Sequence, residues 1–422
     1  MIHPRLYEKL RNYSVETTGH GHSPTLPVIL YYCRPREEVR RCITHRYGPI
    51  KYELPFINAM ALDLSVHKLT AIAKEPMVRW ITEDIAVSKT DRNDGLSSIS
   101  PFSGNPPLRG GFSADWIPLR RSRPVSVAII DTGVALHPDL IWPENRIRAF
   151  YDLIGHKSLP YDDDGHGTHI TGILCGLARA PRMDRRWSPA IVAIKALDGE
   201  GNGTASDILA AMQWILNNRH FYNIRVINLS LGVAADDDYD SDPLIRGVEA
   251  LTNHGITVVA AAGNSGPKPG TISSPGVCNN IITVGAADTT IIPPRVASFS
   301  GRGPTPHGTI KPDLVAPGVE ILSLDSGISL IVSESPDHRI AAGASQSTGR
   351  SRNKRAYNPP GYIAQSGTSM AAPFVSRAVA AICERYPGVD PATVKRILLS
   401  QVRPLDGEPA EAQGKGILYN NF

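Results

Sequence analysis

Between residues 125 and 287 the chain alternates short apolar runs with stretches of helical periodicity. The apolar runs cover residues 125–130, 191–197, 224–231, 256–262 and 281–287. The helical spacing of apolar residues covers residues 166–178, 205–219 and 242–254. Strands that are apolar throughout and are separated by helices predict an α/β fold with a mostly parallel sheet covered on both faces. In such sheets, functional side chains gather at the carboxyl ends of the strands.

A smaller unit is predicted before this sheet, over residues 27–88. Its pattern gives, in order, a strand, a helix, two strands, a helix and a last strand. This β-α-β-β-α-β order predicts a ferredoxin-like α+β domain, although the pattern alone also fits a generic small regulatory or binding domain. The polar residues 1–26 predict a flexible N-terminal arm.

Residues 89–123 separate the two units and show no periodicity. They are rich in Ser, Asn, Gly and Pro, a composition that predicts a flexible linker open to proteolysis. The larger domain is therefore expected over residues 124–422.

Composition and charge narrow the classes of partner. The chain is 41% hydrophobic and 20% charged, as in soluble globular proteins, and its net charge is only +4. That bias is too small to predict nucleic acid or a membrane as partner. The five cysteines include no CxxC pair, which argues against a disulfide framework or a zinc site. The sequence shows no signal peptide and no apolar run of membrane-spanning length, so we expect a cytoplasmic protein, with export by a non-standard route as the alternative.

Ser369 is the first candidate for chemistry. It lies among small residues and is followed by apolar residues at helical spacing, so it falls in the first turn of a buried helix. Backbone N–H groups there have no intrahelical partner, and the helix dipole favours an anion. These features suit a nucleophile that builds an oxyanion beside itself, although the stretch alone also fits a Ser/Thr cap on a core helix.

Three further polar side chains follow predicted strands or begin predicted helices. Asp131 ends the first apolar strand, and His166 begins a helix with His169 three residues later. The two histidines have no third ligand at zinc-like spacing, and His166 is the better placed base, with His169 a buried supporting residue. Asn264 ends another strand, where an amide donates to a developing oxyanion or simply completes a turn.

Taken in order, these motifs resemble the subtilisin-like serine proteases, or subtilases, over nearly all of residues 123–422. The matching blocks are residues 131–133, 166–169, 226–232, 262–266, 296–300, 311–318 and 367–373. The sequence is most similar to the intracellular AprX-type branch. The resemblance implies a subtilisin-like three-layer α/β domain preceded by a small ferredoxin-like pro-domain.

The resemblance also implies roles for single residues. Ser369 would be the nucleophile, His166 the general base and Asp131 the residue that orients the imidazole, in the chain order known from subtilisin. The side chain of Asn264 and the backbone N–H of Ser369 would form the oxyanion hole. The implied substrate-binding residues are Gly199, Gly201 and Gly203 on an edge strand, Ser230, Leu231 and Gly232 beside the primary pocket, and Ser274 and Pro275 at its floor.

The resemblance assigns residues 27–88 to a pro-segment that assists folding and caps the active site, and it puts the processing site in residues 89–123. The expected partners are polypeptides in extended conformation and this pro-segment. No cofactor is required. Asp139 matches a calcium ligand of secreted subtilisins, yet the segment after His169 lacks the polar insertion that completes that site. The acidic residues 236–242 fit a solvated loop better than a cation site.

These motifs leave three candidate functions to compare. The first is a self-processed serine endopeptidase acting through an acyl-enzyme. The second is an inactive subtilase that serves as a protein-binding module, which the complete set of Asp131, His166, Asn264 and Ser369 argues against. The third is an esterase of the α/β-hydrolase type, which would need a G-x-S-x-G elbow and the order Ser…Asp…His. Here Ser369 comes last and residues 367–371 lack the second glycine, which argues against this function.

Overall fold

The computed structural model describes residues 2–16, 25–90, 124–177, 187–235, 238–332, 340–344 and 361–418. They form two units that meet at a third, small sheet. Among these residues, none of the helices is both long and apolar enough to cross a membrane.

The N-terminal unit is a four-stranded antiparallel sheet with helices packed against it. Its elements, in chain order, are α1 (Pro4–Glu16), β1 (Thr25–Tyr32), α2 (Arg36–Arg46), β2 (Tyr52–Leu54), β3 (Ala59–Ser65), α3 (Val66–Ile72), β4 (Val78–Glu83) and β5 (Ala86–Lys89). The sheet order is β2-β3-β1-β4, so β1 and β3 are central. Strand β5 lies outside this sheet.

Strand β1 is buried on both of its faces. Val28, Leu30 and Tyr32 pack with the helices of the N-terminal unit. Ile29 and Tyr31 belong instead to the core that continues into the larger unit. Because side chains alternate across a strand, one apolar strand supplies both cores.

The expectation of a flexible arm over residues 1–26 is wrong for its first part. Residues 4–16 form α1, Leu6 and Leu10 are buried against the sheet, and Ile2 bridges to Ile81. The two leucines lie four residues apart and hence on one face of the helix. Two such contacts within a polar sequence are too weak a signal to be read as a helix. Residues 17–24 lie outside the described residues.

The larger unit is built on an eight-stranded sheet, ordered β15-β14-β12-β10-β6-β8-β7, and its eighth strand, β16, also pairs with β14. Its strands are β6 (Ser126–Asp131), β7 (Ile147–Asp152), β8 (Ala190–Lys195), β10 (Ile224–Leu229), β12 (Thr257–Ala261), β14 (Ile282–Asp288), β15 (Arg295–Val296) and β16 (Leu314–Pro317). Every pair is parallel except β14 with β15.

Helices cover both faces of this sheet. They are α4 (Pro138–Ile141), α5 (His166–Leu174), α6 (Ala205–Asn218), α7 (Pro243–Asn253), α8 (Thr368–Arg385), α9 (Pro391–Leu399) and α10 (Ala410–Gln413). Helices α5, α8 and α9 share one core with Val127 and Ile129, whereas α6 and α7 share the other with Ala128 and Ile130. The predicted α/β fold with a mostly parallel, doubly covered sheet is confirmed.

The remaining strands are short. They are β9 (Asn202–Thr204), β11 (Leu231–Ala234), β13 (Ser273–Ser274), β17 (Ile321–Leu324), β18 (Ile328–Val332), β19 (Ile340–Ala344) and β20 (Tyr362–Gln365). Strand β5 of the N-terminal unit inserts between β9 and β11, giving a mixed-origin sheet of order β13-β11-β5-β9. This sheet lies beside the carboxyl ends of the main strands and joins the two units.

Candidate active site

Asp131 and His166 form a buried hydrogen-bonded pair. Asp131 is the last residue of β6 and His166 is the first residue of α5, and neither side chain is more than 1% exposed. The Nδ1 atom of His166 lies 2.7 Å from Oδ1 of Asp131. Because a carboxylate only accepts, Nδ1 carries the proton, and Nε2 is left as the basic nitrogen.

The segment before His166 holds the start of α5 against the end of β6. Asp162 accepts hydrogen bonds from the backbone of Gly165 at 2.8 Å and Thr168 at 2.8 Å, and from the hydroxyl of Thr132 at 2.9 Å. A Cβ atom on Gly167 would lie only 2.2 Å from the carbonyl oxygen of Gly133. Glycine at 167 therefore lets the helix approach the strand end closely enough for the Asp131–His166 hydrogen bond.

A buried lysine, Lys195, forms hydrogen bonds to the segments that follow the ends of β6 and β8. The Nζ of Lys195, at the end of β8, donates to the carbonyl oxygens of Thr132 at 2.7 Å and Leu197 at 2.9 Å, and to Asp163 at 2.6 Å. Its side chain is fully buried. Neither Asp162 nor Lys195 was predicted as part of the site. The available signal for Lys195 was a single cation within the otherwise apolar run 191–197, which requires buried partners.

Ser369 lies in the first turn of α8, fully buried, and its hydroxyl meets Thr90 of the N-terminal unit. Its Oγ contacts the Thr90 carbonyl oxygen, lies 2.7 Å from the Thr90 hydroxyl and 3.3 Å from the carbonyl oxygen of Ser230. Thr90 directly follows β5. A peptide carbonyl is thus in contact with the candidate nucleophile.

The amide of Asn264 contacts the same carbonyl. Its Nδ2 donates to the Thr90 oxygen at 2.8 Å, while its Oδ1 accepts from the backbone N–H and the hydroxyl of Thr368, both at 2.9 Å. The two bonds to Thr368 orient the amide so that its N–H groups point at the Thr90 oxygen. Asn264 and Ser369 therefore meet at one carbonyl.

Strand β5 is held on both sides by segments predicted to bind substrate. Val87 pairs with Gly203, and Lys89 pairs with Leu231. The backbone N–H of Lys89 donates to Gly201 at 3.0 Å, and that of Thr90 donates to Ser230 at 3.1 Å. The N-terminal unit therefore presents residues 86–90 as an extended peptide, antiparallel to both neighbours.

Not all of the predicted binding residues contact this peptide directly. Gly232 pairs with Ser88, whereas Gly199 lies beside Asp163. Ser274 is one strand further away, paired with Val233, and its peptide bond to Pro275 is cis. Ser274, with Pro275 directly after it, thus lies on the side of β11 that faces away from the peptide.

The cation candidates are engaged in other contacts. Asp139 accepts a hydrogen bond from the hydroxyl of Tyr362 at 2.7 Å. In the acidic stretch, Asp242 caps α7 by accepting from Leu244 at 2.8 Å, and Asp238 lies 3.2 Å from His3. Over the described parts of the chain, no three His, Cys, Asp or Glu side chains lie close enough together to hold a metal ion. The expectation that no cofactor is required, with calcium at Asp139 as the weaker alternative, stays a prediction.

His169 lies one helical turn beyond His166 and is fully buried. Its Nε2 lies 3.0 Å from the carbonyl oxygens of both Ile321 and Ile363. Burial lowers its pKa from 6.5 to about 3, so it is neutral at ordinary pH. A neutral imidazole that donates to two backbone carbonyls ties α5 to β17 and β20.

Polar contacts reinforce the junction between the two units. Asp84, which is 5% exposed, accepts from the backbone N–H of Ser206 at 2.8 Å and from its hydroxyl at 2.6 Å. Tyr52 donates to Asp207 at 2.9 Å, and Lys51 lies 3.0 Å from the same carboxylate. The N-terminal unit thus contacts the start of α6 as well as the candidate site.

The chain is similar to a known protein family and to several proteases. Residues 122–416 match the family model described as the subtilase family. The serine protease AprX of Bacillus subtilis (strain 168) is 37% identical over 309 residues, covering 69% of this chain and 64% of that protein. An alkaline protease of Shouchella clausii is 30% identical over 340 residues, covering 80% of this chain and 72% of that protein.

Among solved structures, fervidolysin from Fervidobacterium pennivorans, described as a keratinolytic enzyme related to subtilisin, superposes with a TM-score of 0.67. The identity is 22%, and the match covers 94% of this chain and 60% of that one. At this level of identity the likeness is one of fold, and it extends over both units described above.

Proposed function

Because the chain belongs to the subtilase family of serine-type endopeptidases, we propose that it hydrolyses peptide bonds through an acyl-enzyme on Ser369 and cuts its own precursor after Thr90. The observation that carries the proposal is the Thr90 carbonyl oxygen, which contacts both Ser369 Oγ and Asn264 Nδ2 while β5 is paired on both sides. We take this carbonyl, beside both the nucleophile and an amide donor, as that of the bond to be cleaved.

In the proposed reaction, Nε2 of His166 takes the proton of Ser369 as Oγ attacks the Thr90 carbonyl carbon. The oxyanion accepts hydrogen bonds from Asn264 Nδ2 and from the Ser369 backbone N–H. Asp131 stabilises the imidazolium. The C–N bond to Asp91 then breaks as His166 protonates the leaving amine, and water hydrolyses the acyl ester by the same proton transfers.

The N-terminal unit is proposed to be the cap of this site. Residues 86–90 fill the cleft between β9 and β11, and the contacts of Asp84 and Tyr52 hold the unit in place. The bond after Thr90 lies within the predicted linker 89–123, of which residues 91–123 are outside the described residues. After cleavage, extended polypeptides would pair with the same two strands.

A cytoplasmic location belongs to the same proposal. All five cysteines are free thiols, and Cys175, Cys278 and Cys383 are buried. Unpaired buried thiols suit a reducing compartment.

Intact mass tests the proposal most directly, on wild type, Ser369→Ala and Ser400→Ala. Ser400 is an exposed serine at the end of α9, and its hydroxyl donates to the carbonyl oxygen of Ile397, so it is a serine control away from the reaction. We expect wild type and Ser400→Ala to split after Thr90 and Ser369→Ala to stay whole. A wild type that stays whole but cleaves added peptides would overturn self-processing alone. If it stays whole and cleaves nothing, the chain is a binding module.

A further inference from the structure

Lys89 is the residue directly before Thr90, and its position in the cleft is closely defined. Its backbone N–H donates to Gly201 at 3.0 Å on one side, and on the other it pairs with Leu231. An extended strand held on both edges has little freedom in the direction of its side chains. Any peptide bound in this register would direct the corresponding side chain along the same path.

That path is a trough whose floor is Gly201. A Cβ atom built on Gly201 would lie 2.5 Å from Cδ and 2.6 Å from Cε of Lys89, and the φ of Gly201 is +80°. The missing side chain leaves room for a long unbranched stem. Glycine is therefore needed here both for its backbone conformation and for the space above it.

A carboxylate lies at the end of the trough. The Nζ of Lys89 lies 2.9 Å from Oδ1 and 2.6 Å from Oδ2 of Asp164. The Lys89 and Asp164 side chains are only 14% and 11% exposed, so the pair is poorly screened by solvent.

Asp164 is itself oriented by the segment that begins α5. Its Oδ1 accepts from the backbone N–H of His166 at 3.0 Å, and its own backbone N–H lies 3.3 Å from Oδ1 of Asp162. The carboxylate thus belongs to the larger unit and would remain beside the cleft after the N-terminal unit leaves.

We infer that Gly201 and Asp164 form a specificity subsite that selects lysine immediately before the residue whose carbonyl is attacked. The inference rests on the proposed function, with Thr90 as the attacked residue. An uncharged side chain in this trough would leave a largely buried carboxylate without its cation, whereas lysine supplies charge-assisted hydrogen bonds. The substrates would be polypeptides with an exposed lysine as the second residue on the N-terminal side of the cut bond.

The test uses the full chain, assayed over serial dilution so that the cut N-terminal unit dissociates, and synthetic peptides with the sequence of residues 85–93. Three versions carry lysine, norleucine or glutamate at the position of Lys89. Norleucine matches most of the stem and lacks the charge. Products are identified by mass, and kcat/KM is measured for wild type, Asp164→Asn and Glu200→Gln. Glu200 is an exposed carboxylate next to Gly201 and controls for general electrostatics.

We expect wild type to prefer lysine over norleucine by about 10- to 100-fold and to reject glutamate further. Asp164→Asn should bring the lysine-to-norleucine ratio close to one, and Glu200→Gln should keep it. A wild type that cuts lysine and norleucine peptides equally overturns the inference and leaves the proposed function standing, even where Asp164→Asn does not fold. A preference that survives in Asp164→Asn, or is lost in Glu200→Gln, overturns the assignment to Asp164. If wild type stays whole by intact mass and cleaves no peptide at any dilution, both proposals are overturned.

Discussion

The carboxylate of Asp84 in the N-terminal unit accepts two hydrogen bonds from Ser206, the second residue of α6 in the larger unit. One comes from the backbone N–H and one from the hydroxyl. The N–H groups of a first helical turn lack intrahelical acceptors, and the helix dipole favours a negative charge there. A carboxylate from the N-terminal unit thus accepts hydrogen bonds at the start of a helix in the larger unit. Docking of the N-terminal unit is therefore linked to the fold of both units.

Replacing Asp84 by alanine is therefore expected to weaken the cap without touching the cleft. Hydrogen bonds to charged groups contribute about 1.5–3 kcal/mol each, so the cut N-terminal unit should bind at least tenfold more weakly. The processed proteins are diluted in steps, and peptidase activity per molecule is measured at each concentration. A more weakly bound N-terminal unit dissociates at a higher protein concentration, so Asp84→Ala should become active at a smaller dilution than wild type. Asp63→Ala is the control, because Asp63 is exposed on β3 of the same unit. Equal inhibition in both variants would contradict the role of Asp84.

Asn264→Ala is expected to lower kcat by about 100- to 1,000-fold, with little change in KM. The amide contacts the carbonyl oxygen on which negative charge would develop, so its loss should affect the transition state more than ground-state binding. Steady-state kinetics on a peptide substrate check this. Asn253→Ala, an exposed asparagine at the end of α7, should keep wild-type kinetics. A rise in KM with an unchanged kcat would instead mean that Asn264 contributes only to binding of the substrate in its ground state.

The local sequence pattern predicts the residues of this site that end or follow an apolar strand or begin a helix. They are Asp131, His166, Asn264 and Ser369. Thr90 could not be singled out, since its contact with Ser369 spans 279 residues and depends on the docking of two units.

The same limit applies to Asp164 and α1. An acidic residue before a helix is ordinary turn chemistry, and it is the path of Lys89 over Gly201 that gives Asp164 a cationic partner. Helix α1 was missed because two leucines in a polar stretch carry its packing. Periodicity thus predicts elements that bury a whole face, whereas pairings between distant residues require the folded chain.

Lys195→Met is expected to destabilise the larger unit by several kcal/mol. Methionine fills a similar volume but leaves the carbonyl oxygens of Thr132 and Leu197 buried without their donor, and each such loss costs about 1–3 kcal/mol. Urea unfolding in the Ser369→Ala background measures this, since that background cannot digest itself. Lys268→Met, at an exposed lysine, should stay within about 0.5 kcal/mol of its parent. A Lys195→Met variant as stable as the control would show that the buried cation contributes nothing net.

His169 should make the folded state sensitive to acid. Its pKa falls from 6.5 to about 3 on burial, so between these values the unfolded chain binds a proton that the folded chain does not. Stability is therefore complete above pH 6.5 and is lost progressively as the pH falls towards 3, by about 2 kcal/mol between pH 7 and pH 5 from this group.

Urea unfolding of Ser369→Ala at pH 7 and pH 5 measures the loss, compared with the same protein carrying His169→Gln or His254→Gln. Glutamine cannot become charged, so His169→Gln should be less stable at pH 7 but should lose about 2 kcal/mol less on acidification. His254 is exposed at the end of α7, and His254→Gln is the matched control for replacing a histidine outside the core. An unchanged pH dependence in His169→Gln would mean that other groups cause the acid sensitivity. The contacts of His169 with Ile321 and Ile363 would then be structural at every pH.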